Sequence, residues 1–330
     1  MSNGDQRTGR VKKFVAIFLL WSFIPVQLFA WGPKGHEVVA DVAGSRLTWQ
    51  TRKNLELLIP EQSLSWIANW ADEIRRQRDE SYDWHFVDIP EDADGFNDRR
   101  DCFRPQDRHK NARTDHQNCV VDRIEIFKRV LADENAPREQ RVEALKWLVH
   151  FIADLHQPLH AIAEAHGGND IKLPAFGSPE CDDYPCNLHS VWDSVLLEHS
   201  GLSERQYVNR VESLIQSEQL QQKAGGTPVD WANESHLIAR TIVEQRPDAI
   251  DEAYYKANIR VVDERLGLAG IRLARLLNDA LGNIPTSRMK KDLSTRRSKN
   301  TGARRRAPGD EHRTAHIVRG DRPSNRIHLS

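Results

Sequence analysis

The sequence predicts an all-α fold in a single helical domain. Apolar residues recur at helical spacing through most of 31–282, alternating strand-like runs are scarce, and neither a repeat nor a linker divides that stretch. With 39% apolar residues in 330, the chain buries a real core, which excludes disorder of the whole. Helices are expected over 35–58, 62–79, 119–133, 138–155, 188–198, 203–217, 230–246 and 251–281. Ser63 opens the second region, Pro137 precedes the fourth, and Thr227-Pro228 before Asp230 sets up the seventh. The polar stretches 90–118 and 167–187 read as loops, each holding two cysteines.

Ahead of this domain, residues 1–30 run from a basic start (Arg7, Arg10, Lys12, Lys13) into FVAIFLLWSFIPVQLFA and end on the small Ala30. That is the layout of a secretory signal with the cut before Trp31, and it predicts a secreted or periplasmic protein. Leu28 is bulkier than is usual two residues before a cut, so an uncleaved membrane anchor is the alternative reading. Nothing later is long and apolar enough to span a bilayer.

Export makes disulfides the natural fate of Cys102, Cys119, Cys181 and Cys186, and no CxxC spacing favours zinc. Of the three possible pairings, the sequential one is expected: Cys102 with Cys119 and Cys181 with Cys186. The formal net charge of −1 conceals an asymmetry, because 286–330 holds thirteen Lys/Arg against four Asp/Glu. The body from 31 to 285 is therefore acidic. The basic tail, poor in apolar residues, is expected to be disordered, as a solvated extension or as a contact for polyanions.

The chemistry concentrates between 147 and 193. His150 and Asp154 stand four apart on a strongly helical segment, so both side chains leave one face about a turn apart. His189 and Asp193 repeat that spacing, and His160 follows after Pro158 ends the helix. One such pair is ordinary on a helix surface; two flanking a further histidine point to metal. Mixed imidazole and carboxylate donors suit Zn²⁺ better than Ca²⁺. Asp72 in NWADEIRR and His85 in WHFVD lie in tryptophan-rich, amphipathic sequence that places them near the core, where alone Asp72 reads as a cap or an Arg75 partner and His85 as a packed histidine. His36 follows Trp31 by five residues, and cleavage would free the Trp31 α-amino group as a further donor. His156 reads as a supporting rather than a ligating residue, and the remaining histidines as packing or surface groups.

WGPKGH, WAD, WHFVD, HFIADLHQPLH, GGND and NLHSVWD in this order resemble the class I zinc-dependent, single-strand-specific nucleases of fungi, plants and bacteria, relatives of the zinc-dependent bacterial phospholipases C. The likeness runs from Trp31 to about Gly282 and omits the basic tail. It implies the helical fold of the phospholipase C/nuclease type and three Zn²⁺ per chain in a cleft. By motif, one ion falls to Asp72, His85, His150 and Asp154. A second falls to the Trp31 amino nitrogen and carbonyl oxygen, His36 and a bridging Asp154, and a third to His160, His189 and Asp193.

The resemblance further implies hydrolysis of single-stranded RNA and DNA to 5′-phosphorylated products by a zinc-activated water, with 3′-nucleotidase activity on 3′-nucleotides. Asp72 and Asp154 act at the reaction centre, and Arg75 offsets charge on the phosphoryl group. Phe86 offers a face for base stacking and Asp88 an acceptor for its edge, with Gly167 and Asn169 beside them; stacking needs an unpaired base. No protein partner is implied. A zinc-dependent phospholipase C is the first alternative, although that branch carries glutamate where Asp193 stands; a non-catalytic zinc-binding or adhesion protein is the second.

Overall fold

The computed structural model describes residues 31–102, 118–182 and 184–287. The expected signal at 1–30 lies outside them, as does the basic tail beyond Ser287. Helices α1 (Pro33–Ser45), α2 (Trp49–Leu58), α3 (Leu64–Ile67), α4 (Trp70–Ile74) and α5 (Asp98–Asp101) come first. They are followed by α6 (Val120–Ala132), α7 (Arg138–His156), α8 (Leu188–Ser190) and α9 (Leu196–His199). The series closes with α10 (Glu204–Ser217), α11 (Leu220–Lys223), α12 (Pro228–Glu244) and α13 (Glu252–Leu281). A two-residue antiparallel hairpin, Glu180–Cys181 with Tyr184–Pro185, is the one sheet among the described residues, and it lies inside the stretch read as a loop. No helix among them is long and apolar enough to cross a membrane.

The axis of the fold is α7. Its residues from Trp147 to His156 are all buried, so the helix is enclosed nearly all round, by α6, α13, α12, α4 and α1. Pro137 caps its start, and it stops at His156, before Pro158. The thirty-residue α13 lies against α1 so closely that a Cβ at Gly270 would sit 2.4 Å from Val42 Cγ1. Glycine is what permits that approach.

Two of the expected helices are interrupted. The span 35–58 breaks at Arg46, and Thr48 restarts it by accepting the Thr51 N–H on its hydroxyl. The span 62–79 becomes α3, capped by Ser63, then α4, then a 3₁₀ turn Asp79–His85. These breaks turn the chain so that Asp72 and His85 both face α7. Between α8 and α9, Val191–Val195 forms a π-turn, a local widening frequent at functional sites. Further on, α12 begins at Pro228, with the reciprocal Thr227–Asp230 capping box that the sequence signals. Both disulfides form as expected, Cys102–Cys119 and Cys181–Cys186.

Candidate metal centre

Two clusters of imidazoles and carboxylates gather at the buried end of α7. In the larger, Asp154 offers its two oxygens in different directions. Oδ1 lies 3.4 Å from His36 Nε2, while Oδ2 lies 3.0 Å from His85 Nδ1 and 3.4 Å from His150 Nε2. His85 Nδ1 and His150 Nε2 are 3.2 Å apart, and Asp72 Oδ1 lies 3.7 Å from the first and 3.5 Å from the second. His36 stacks on His150 with ring centroids 3.9 Å apart. The smaller cluster holds His160, His189 and Asp193, with His189 Nε2 3.3 Å from Asp193 Oδ2.

These separations fit metal ligation. Donors around a tetrahedral ion at the usual 2.0–2.1 Å stand about 3.3 Å apart, and Asp72, His85, His150 and Asp154 present five such edges between 3.0 and 3.7 Å. The buried His36 Nε2, Asp72 Oδ1, Asp154 Oδ1 and His160 Nε2 have no hydrogen-bond partner. An uncompensated buried carboxylate costs about several kcal/mol, more than the roughly 1.5–3 kcal/mol gained by burying one large apolar side chain, so packing alone does not hold Asp154 there. Cations do.

The imidazoles are oriented from behind. His150 Nδ1 donates to the Ala68 carbonyl at 2.8 Å, His160 Nδ1 to the His85 carbonyl at 2.9 Å, and His189 Nδ1 to the Gly167 carbonyl at 2.7 Å. Each bond fixes the tautomer and leaves Nε2 as the lone-pair donor facing its cluster. Gly167 reaches its position with φ +63, and a Cβ there would meet the Leu159 carbonyl oxygen at 2.6 Å, so glycine is required behind His189.

Electrostatics hold four of the histidines in the neutral, ligating form. Burial, then the neighbouring histidines, holds His36 well below the usual imidazole range; burial, then Arg75, does the same to His85. Burial and His189 depress His160, and burial brings His189 down to about 4. His150 is the exception: burial opposes its charge, but Asp154 and Asp72 outweigh it and push it up to about 9. Burial raises Asp154 and Asp193 well above the usual carboxylate range. Four of the imidazoles are thus held neutral, whereas His150, Asp154 and Asp193 would each give up a proton to a cation.

The other expected site residues border these clusters. Trp31 is fully buried, and the next N–H, of Gly32, donates to the Asp193 carbonyl at 2.8 Å, so the start of α1 is tied to the smaller cluster. Arg75 lies over the Tyr82 ring and donates to the Tyr82 carbonyl, and its charge acts on His85, Asp154, His160 and His189. Phe86 and Asp88 are half-buried on an extended segment whose alternate residues, Val87 and Ile89, are buried. The Val87 N–H donates to the His160 carbonyl, which sets that segment beside the smaller cluster. Asn169 donates through its amide to the His166 carbonyl. His156 faces away, with Nδ1 bonded to the Ile152 carbonyl and Nε2 to Arg272.

The sequence reading missed Gln157, which is fully buried and hydrogen-bonds to Asp193 Oδ1. It also missed the three carbonyls of Ala68, His85 and Gly167. The signal for Gln157 was its place between a buried helix and Pro158; for the carbonyls there was none, since any residue carries one.

An all-helical scaffold enclosing neighbouring His/Asp clusters that could hold metal fits a metal-dependent hydrolase. The chain belongs to the S1/P1 nuclease family, whose model matches residues 31–282, and it is accordingly a nuclease. It is similar to endonuclease 4 of Arabidopsis thaliana, 29% identical over 309 residues that cover 82% of this chain and 96% of that protein. Endonuclease 2 of the same plant is 27% identical, covering 82% and 97%. Nuclease P1 of Penicillium citrinum is 26% identical, covering 77% and 98%.

Proposed function

We propose that this chain is an exported, three-zinc endonuclease that hydrolyses single-stranded RNA and DNA to 5′-phosphorylated products and removes the phosphate of 3′-nucleotides. The observation that carries the reading is the set of tetrahedral edges around Asp154, whose two oxygens face different imidazoles. Asp72, His85, His150 and Asp154 would hold one ion, and His36, Asp154 and the main-chain nitrogen and oxygen of Trp31 a second. His160, His189 and Asp193 would hold the third. When bound, zinc supplies an acidified water and positive charge opposite the phosphate.

The chain's own groups do the rest. Asp72 orients the attacking water; as the P–O3′ bond breaks in line, Arg75 offsets charge on the phosphoryl oxygens and the departing 3′-oxygen. Phe86 stacks on the base and Asp88 accepts a hydrogen bond from its edge. Asn169 Oδ1, buried without a hydrogen-bond partner, and the Gly167 turn would complete the base contact. Stacking contributes about 1–3 kcal/mol per base and requires that the base be unpaired, which favours single strands over duplex. The leader at 1–30 would direct export, and the basic tail would add polyanion affinity that weakens with salt.

The test is to assay the chain starting at Trp31, zinc restored, against single-stranded DNA, duplex DNA, a 3′-nucleotide and phosphatidylcholine in parallel. Faster cleavage of single strands with phosphate release from the 3′-nucleotide is expected. Lipid turnover without nucleic-acid cleavage would overturn the proposal.

A further inference from the structure

We propose that Gln157 is a positioning residue that selects which oxygen of Asp193 faces the third metal ion. The inference deepens the three-zinc reading and rests on it. Gln157 is fully buried, sits between the end of α7 and the 3₁₀ turn Pro158–Ala161, and uses both ends of its amide. Its Oε1 accepts the Leu159 N–H at 2.6 Å, so the amide cannot be reversed without setting donor against donor. The NH₂ group is therefore turned to Asp193 Oδ1, 36 residues further along the chain.

The consequence for Asp193 is an asymmetric carboxylate. Oδ2 lies 3.3 Å from His189 Nε2, the spacing of neighbouring ligands on a tetrahedral ion, whereas Oδ1 lies 4.0 Å from His160 Nε2 and is taken by the amide. Its backbone is fixed as well, through the Gly32 N–H on the Asp193 carbonyl. A neutral amide suits this place. It occupies one oxygen without cancelling the carboxylate charge the cation needs, as an arginine or lysine would. Asp193 thus presents one oxygen in one orientation, and the third ion binds a preformed site.

The experiment measures zinc per chain and the affinity of each ion, by chelator competition, in wild type, Gln157→Met and Gln157→Asn, each starting at Trp31. Methionine keeps the volume and removes the donor; asparagine keeps the amide but withdraws it. Partners of ligating groups typically contribute 10–100-fold to metal affinity. The expected result is a third ion bound about 10- to 100-fold more weakly in both variants, with the other two unchanged. A third ion of wild-type affinity, or equal weakening of all three, would overturn the role of Gln157. If Gln157→Met does not fold, the asparagine variant decides between the same outcomes. A wild-type chain holding fewer than three zinc ions would instead overturn the three-zinc reading, and this role with it.

Discussion

His160 and His85 are locked to each other: the His160 imidazole Nδ1 donates to the His85 carbonyl at 2.9 Å, and the His160 carbonyl accepts the Val87 N–H at 2.8 Å. A donor of the smaller cluster therefore leans on the main chain of a donor of the larger one, and the same bonds hold Phe86 beside both. Replacing His160 with alanine removes a proposed ligand together with that brace. The expected outcome is loss of one zinc and a fall in kcat/KM beyond the about 10- to 100-fold typical of removing an outer partner. Elemental analysis and steady-state rates on single-stranded DNA check it.

Asp154→Asn should be more severe. An amide keeps the shape but offers one neutral oxygen where the carboxylate turns a charged oxygen to His36 and another to His85 and His150. More than one zinc should be lost, with activity at background. Wild-type zinc content in this variant would refute the bridging role.

Phe86→Ala should leave the zinc count alone and weaken the substrate. Removal of one stacking partner, at about 1–3 kcal/mol, corresponds to roughly 5- to 150-fold in kcat/KM on single strands. An unchanged value would show that Phe86 does not meet the base.

Zinc binding should release protons at pH 7. His150, raised to about 9 by Asp154 and Asp72 against the effect of burial, is protonated there and must lose its proton to ligate, whereas His189, brought down to about 4 by burial, is already neutral. Because the folded metal-free state holds a proton that the zinc-bound state cannot, zinc affinity rises with pH and levels off above about 9. Calorimetry of the metal-free protein in buffers of different ionisation enthalpy should count at least one proton released. A count of zero would contradict the charge assignment.

Much of this site was legible because ligands on helices obey helical spacing. His150 with Asp154 and His189 with Asp193 stand four apart, and α7 runs to His156, one residue past the expected end. The breaks after α1 and α3 were harder to read: continuous apolar periodicity outweighed the capping signal of Thr48, and Asn69 ahead of α4 makes no side-chain cap bond. The π-turn at Val191–Val195, which carries Asp193 and its carbonyl bond from the Gly32 N–H, was read as part of a continuous helix over 188–198. Main-chain carbonyls behind the histidines leave no trace in residue identity. His156 shows the converse: a histidine in the middle of the motif that the helix turns toward Arg272 and away from both clusters.

The most direct test is to count metal and activity together in the protein that starts at Trp31. We expect three zinc ions per chain, loss of single-strand cleavage when they are stripped by chelator, and recovery on returning zinc alone. A folded, metal-free chain that still cleaves single-stranded DNA at full rate in excess chelator would contradict the account.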